Sequence, residues 1–245
     1  MSQLSLYEKM TPQELLTEYM SKYREEYVKA EVKSIVRLFP GSFKGIKILD
    51  LGCGGGFYSL VITSMGANDI TVQDIEKLFV KATRLNLDIK QNIKVEGVCG
   101  DCMRLPFQDE AFDFIICVNV IERIPRDDLL LEEAARVLKR GGLFIVTARN
   151  STSLNNLKQI QCMKMYSPIA FEKKLMRHGF NVRKHSGAYF IPYIRVASIF
   201  NAKPRLAQVI KSILKKTNEF LEYRGDRSPI NKYGWEHAYL CKKTT

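Results

Sequence analysis

Residues 46–56 read Ile46-Lys47-Ile48-Leu49-Asp50-Leu51-Gly52-Cys53-Gly54-Gly55-Gly56, a short apolar run that ends beside an acid and breaks into a glycine cluster. The run predicts a buried strand, and Phe57 to Gly66 predict a helix closed by Gly66. A glycine-rich turn between strand and helix lets backbone amides approach a ligand closely at the positive end of the helix, which is how nucleotide cofactors are held. Taken alone, the same turn is also compatible with a tight connection that holds nothing.

Outward from this turn the pattern repeats. Ile70–Asp74 predicts a second strand, residues 76–88 a second helix and Ile93–Cys99 a third strand. Phe112–Val118 is almost continuously apolar, as expected for a strand buried on both faces of a parallel sheet. Asp127–Lys139 predicts a helix with acids in its first turn, Lys139-Arg140 in its last and Gly141-Gly142 as its stop, followed by a strand over Leu143–Thr147. Ahead of the glycine turn, Thr11-Pro12-Gln13-Glu14 is an N-cap signature, and Val28, Val32, Ile35, Val36 and Phe39 recur at helical spacing up to Pro40-Gly41. Phe171–His178 predicts a late helix, and Asn181–Phe190 and Trp235–Cys241 two final strands. Short apolar strands alternating with helices imply an α/β fold, a parallel sheet covered on both faces.

Two spacings discriminate among cofactors. The dinucleotide fingerprint wants a third glycine where Phe57 stands, and Asp50 would repel a pyrophosphate, so NAD and FAD are disfavoured. Asp50 suits instead a ligand with an ammonium group. Asp74 follows Gly56 by 18 residues, near the ~20 expected for a ribose-hydroxyl ligand. Asp101, just past the third strand, is placed for an adenine amine. Ammonium, ribose and adenine in that order describe S-adenosylmethionine.

Over roughly residues 30–185 the chain resembles the class I S-adenosylmethionine-dependent methyltransferases: in the glycine loop, in Asp74, in Gly100-Asp101-Cys102 ahead of Leu105-Pro106-Phe107, in the run from Phe112 to Ile124, and in Val137 to Val146. The resemblance implies a Rossmann-like seven-stranded, mostly parallel sheet whose sixth and seventh strands form an antiparallel pair. It assigns Asp50, Gly52, Cys53 and Gly54 to the methionine end of the cofactor, Asp74 and Ile75 to the ribose side, Asp101 and the Cys102 amide to the adenine, and Asn119 to a place beside the methionine moiety. The stretch Val118 to Ile124 most resembles the methyltransferases of quinone and other small-molecule pathways. Arg123 stands where those enzymes often have a His, and Asn119 where they carry a metal-binding Glu, so no metal site is expected. The Asn-Pro-Pro-Tyr type motif of amino-methylating nucleic-acid enzymes is absent.

No residue stands out as a general base. Glu122, which by family position opens towards the cleft unless Arg123 or Arg126 pairs with it, and His237, on an expected edge strand with His185, are the catalytic candidates. Methyl transfer from a sulfonium can proceed by alignment and desolvation, so a dedicated base is needed only for a weakly acidic acceptor. His178 reads as a helix-end cation, Glu132-Glu133 as a solvated helix face, Cys99 as core. The Cys99/Cys102 spacing of a redox or zinc pair has no companion pair.

The 245 residues carry a net charge of +12, and its distribution is uneven: residues 1–150 hold 20 Lys and Arg against 21 Asp and Glu, residues 151–245 hold 18 against 5. An acidic partner for the second part follows. Between the last two strands, residues 191–234 form an insert in which Leu206, Val209, Ile210, Ile213 and Leu214 share a helical face, with Lys211, Lys215 and Lys216 off it and Tyr189, Phe190, Tyr193, Ile194, Ile199 and Phe200 nearby. The apolar stripe favours a lipid-like acceptor and peripheral contact with an anionic membrane over RNA, because phosphate contacts do not require one. The expected organisation is a single domain: an N-terminal helical cap (1–44), a cofactor-binding core (45–190), the basic helical insert and the last strand (235–245). The absence of a signal pattern, of an ~18-residue apolar span and of a dense cysteine framework among the six Cys leads to the expectation of a cytoplasmic protein, free or membrane-peripheral, with reduced thiols.

Overall fold

The computed structural model describes residues 10–22, 26–88, 93–153, 164–188, 208–210, 212–214, 216, 217, 234 and 236–244. Its elements are α1 (Pro12–Lys22), α2 (Glu26–Val36), β1 (Lys47–Leu51), α3 (Phe57–Ser64), β2 (Asp69–Asp74), α4 (Lys77–Asp88), β3 (Lys94–Cys99), β4 (Phe112–Cys117), a 3-10 turn (Ile121–Arg123), α5 (Asp127–Val137), β5 (Leu138–Arg149), α6 (Pro168–Arg177), β6 (Phe180–Ala188) and β7 (Glu236–Lys243). Seven strands form one sheet in the order β3-β2-β1-β4-β5-β7-β6, parallel except for the antiparallel pairs β5·β7 and β6·β7. This is the expected architecture, and the crossover between β1 and β4 is the topological switch point where open α/β sheets bind ligands.

Strand alternation sorts the core into two layers. Leu49, Leu51, Ile115, Cys117, Phe144 and Val146 pack with α5 and α6 residues such as Leu130, Ala134, Phe171 and Leu175. Ile48, Phe114, Ile116, Ile145, Ala238 and Leu240 pack on the other face with Ile35, Tyr58, Ile62 and Val80 of α2, α3 and α4. Three edge-on rings, Phe39, Phe43 and Phe114, with centroids 5.0–6.3 Å apart, tie the segment after α2 to the sheet.

Several expectations are corrected. The fifth helix stops at Val137, and Lys139-Arg140 belong to a twelve-residue β5. Gly141 (φ +76°) and Gly142 serve a bulge, visible as a register jump from Phe112↔Leu138 to Phe114↔Leu143, and do not stop a helix. β7 lies inside the sheet, so His237 is not on an edge, whereas His185 on β6 is. Cys99 is exposed instead of core, because β3 is the other edge. Glu133 does not merely face solvent: its carboxylate accepts the Leu105 N–H (2.6 Å) and pairs with Arg136 (2.7 Å). His178 sits at the C-cap of α6, its Nε2 2.9 Å from Asp128.

Most of the insert, including Leu206, Lys211, Lys215 and the aromatic residues from Tyr189 to Phe200, together with Trp235, lies outside the described residues. Its described residues, apart from Gly234, are helical; Ile210 and Leu214 are half-buried, while Val209 and Ile213, one turn apart, are more than half exposed. No described helix is long and apolar enough to cross a membrane.

Candidate functional site

The glycine loop is built by its backbone. Gly52, Gly54 and Gly56 all take positive φ (76°, 50° and 77°), a region that costs a β-carbon-bearing residue strain. The N–H groups of Gly52 and Cys53 both donate to the Gln73 carbonyl (2.8 and 2.9 Å), which pins the loop to the end of β2. A β-carbon on Gly52 would lie 2.3 Å from Val120 Cγ2, and one on Gly56 2.6 Å from Thr83 Cγ2. The loop is therefore clamped between the segment after β4 and helix α4.

Around it the predicted acids take distinct environments. Asp74, ending β2, accepts the Gly54 N–H at Oδ2 and the Glu76 N–H at Oδ1, both at 3.0 Å, and burial raises its pKa. Ile75 beside it is 68% exposed, leaving apolar surface next to a carboxylate. Asp101, exposed just beyond β3, accepts the Met103 N–H at 2.8 Å, and the neighbouring Cys102 is buried with its thiol pushed up to about 12 by burial and the Asp101 charge. Asp50 lies beneath the loop, accepting from Ser59 Oγ at 2.5 Å. Burial, offset in part by that hydrogen bond and reinforced by the charge of Asp74, raises its pKa to about 7. These residues fit S-adenosylmethionine: carboxylates at the ends of neighbouring strands for a ribose and an amine, a clamped amide-rich loop, and the Ile75 surface for a ring.

The other side of the switch point holds a cluster not foreseen as a unit. Asn119 directly follows the short stretch after β4 in left-handed conformation (φ +59°), its N–H bound to Thr147 Oγ1 (2.9 Å). Its side chain donates to Glu31 Oε1 of α2 (2.7 Å), which also accepts from Tyr58 OH (3.2 Å), and accepts from Arg149 Nη2 (2.9 Å). Arg149 pairs with Glu236 (2.7 Å) and lies 3.7 Å from Glu122. Glu122 therefore lies nearest Arg149, and the charge of Arg123 also acts on it. Burial raises the pKa of Glu122, offset by the Arg149 charge, and raises that of Glu236 strongly despite the same offset. Glu31, Arg149 and Glu236 were missed, although each is a charge set among apolar helix or strand positions: Glu31 falls on the stripe of Val28, Val32 and Ile35, and Arg149 and Glu236 cap buried strands.

His237 takes the opposite face from Glu236. Its Nδ1 is 2.5 Å from His185 Nε2 and its ring stacks on His185 at 4.6 Å, while Tyr239 stacks on His185 at 4.5 Å. Burial lowers the pKa of both imidazoles, to about 4 for His185 and about 3 for His237. The structure thus gathers Asp50, Gly52, Cys53, Gly54, Asp74, Ile75, Asp101 and Cys102 around β1–β3, gathers Asn119 and Glu122 beyond β4, and leaves His237 in a separate aromatic stack.

A family model described as a methyltransferase domain matches residues 49–146, from β1 into β5. An uncharacterized protein of Methanocaldococcus jannaschii is 26% identical over 227 residues, 89% of this chain and 92% of that protein. The ubiquinone biosynthesis O-methyltransferase of Maricaulis maris is 34% identical over 112 residues, so that the match spans 45% of this chain and less than half, 43%, of that enzyme. Among solved structures, an S-adenosylmethionine-dependent methyltransferase of Aquifex aeolicus superposes with a TM-score of 0.62 at 14% identity, over 96% of this chain and all of that one. With the strand order, the clamped glycine loop and the acids at the strand ends, these matches identify residues 49–146 as a methyltransferase domain of the class I, S-adenosylmethionine-dependent kind.

Proposed function

We propose that the chain methylates a small, apolar or lipid-like acceptor. The observation that carries this reading is the match, across the cofactor-binding strands, to an enzyme of quinone biosynthesis. The exposed apolar pair Val209 and Ile213, in a part of the chain where basic residues outnumber acidic ones 18 to 5, supports it, since an apolar stripe beside cations suits an anionic lipid surface.

In this reading Asp74 holds the ribose hydroxyls, Asp101 and the Cys102 amide the adenine edge, Ile75 the ring face, and the glycine loop with Asp50 beneath it the amino-acid end. When bound, S-adenosylmethionine supplies a methyl group on a sulfonium. The protein's part is alignment and exclusion of water, which in well-oriented systems is worth roughly 7–11 kcal/mol of barrier.

The test offers methyl-labelled S-adenosylmethionine with a cellular lipid extract or with total tRNA. Label entering the organic phase is expected, and label entering only tRNA would install RNA as the acceptor. Co-sedimentation with anionic vesicles provides a second check. Lys211→Gln, Lys215→Gln and Lys216→Gln together should weaken attachment at about 1 kcal/mol per Lys and flatten its salt dependence, with cofactor affinity unchanged.

A further inference from the structure

The buried cluster beyond β4 has more carboxyl groups than it can satisfy. Glu31, Glu122 and Glu236 are 5%, 2% and 3% exposed, and the positive charge that meets both Glu122 and Glu236 at close range is Arg149. Asn119 and Tyr58 supply donors to Glu31. Glu122 Oε2 is buried with no hydrogen-bond partner, and its other oxygen is 3.7 Å from Arg149, beyond hydrogen-bond reach. A buried carboxylate oxygen left without a donor loses the solvation it would have in water, a penalty that a polar ligand can relieve.

The position of the cluster gives it a use. Asn119 and Glu122 bracket Val120, whose side chain abuts Gly52 of the cofactor loop, so the carboxyls lie across the switch point from the cofactor side. Arg149 ends β5 and Glu236 begins β7 opposite it, while α2 brings Glu31 over the same end of the sheet. Among the described residues no group of three or more His, Cys, Asp or Glu side chains is arranged to hold a metal ion.

We propose that the pocket formed by Glu31, Asn119, Glu122, Arg149 and Glu236 receives the polar head of the acceptor, and that it selects heads that donate hydrogen bonds, hydroxyl or ammonium, over anionic ones. A donor head satisfies Glu122 Oε2, whereas a carboxylate or phosphate meets three carboxyl groups and an Arg149 guanidinium already paired with Glu236. Burial raises the pKa of both Glu122 and Glu236 against the offset of the Arg149 charge, and the neighbouring Glu31 adds to the rise. The groups facing one another are Glu31 and Tyr58 from the helices, Asn119, Glu122 and Arg123 from the segment after β4, Arg149 from β5 and Glu236 from β7.

The inference rests on the small, apolar acceptor proposed above, and one titration separates the two. The full chain, saturated with S-adenosylhomocysteine, is titrated at pH 7.5 with hexyl, octyl and decyl probes, each carrying an amine, an alcohol or a carboxylate head. Amines and alcohols should bind at least about tenfold more tightly than carboxylates of equal length, and Glu122→Gln and Glu236→Gln, made singly in chains that still bind S-adenosylhomocysteine, should reduce that ratio several-fold. Affinity that rises with tail length but ignores the head overturns the pocket and leaves the acceptor reading standing. Head preference without tail dependence overturns the acceptor reading instead, and a preference retained in both variants, or absence of binding by every probe, overturns the pocket.

Discussion

Gly52 bears two constraints at once, a left-handed backbone and a van der Waals seam with Val120. Gly52→Ala should therefore cost roughly 1–3 kcal/mol, and adding Val120→Ala should recover only the steric share, since the backbone strain stays. Denaturant melts of the single and double variants measure both parts; equal stability of the two would show that the seam is soft. Asp50 yields a second expectation. Its pKa near 7 lies above the unfolded value, so its stabilising contribution is present below about pH 4 and is lost as pH rises through about 7. A cationic ligand favours the ionised form, so S-adenosylmethionine should bind with release of part of a proton near pH 7 and more tightly as pH rises across that range. Calorimetry in buffers of different ionisation enthalpy measures the proton, and identical apparent enthalpies for the parent would remove Asp50 from the ligand's field. Asp50→Asn should abolish the release. Acids such as Asp50 and Asp74 could be read from the sequence because they sit where apolar strands end. Glu31 could not, because its partners lie 27 and 88 residues away in Tyr58 and Asn119, and nothing local marks that meeting.

Strands β6 and β7 carry the stacked pair His185 and His237, with Glu172 3.8 Å from His185 Nδ1 and Tyr239 against the rings. Both folded-state pKa values lie below the unfolded value of about 6.5. Their contribution is therefore present above about pH 6.5 and lost as pH falls towards 4. Asp50, Glu122 and Glu236, with raised pKa values, act in the opposite sense, so a comparison with a variant isolates the histidines. His237→Phe should gain on the parent by up to roughly 1.4 kcal/mol for each pH unit lowered between 6.5 and 4, read from urea midpoints; a constant difference would show that His237 is protonated in the fold. Element types were predicted well by apolar runs and helix caps: Thr11 and Glu14 form the reciprocal capping box expected, with bonds of 2.8 and 3.3 Å. The boundary of α5 was misplaced because two consecutive glycines read equally as a helix stop and as a bulge, and only pairing with β4 decides between them.

At the scale of the molecule, residues 1–150, which carry the glycine loop, are nearly neutral and residues 151–245 carry the excess cations. The strand order was accessible through resemblance, since apolar periodicity gives the strands but not their neighbours. That order places the last strand between two earlier ones. Until residues 236–243 have left the ribosome, β5 has no partner on its outer side and β6 has none at all among the described residues, although both were synthesised earlier. At synthesis rates of roughly 5–20 residues per second the 47 residues between β6 and β7 keep those two edges uncovered for some seconds. Nascent chains of this protein therefore pass through an interval with open strand edges, and a stop codon between residues 189 and 236 strips the sheet of two strands rather than one.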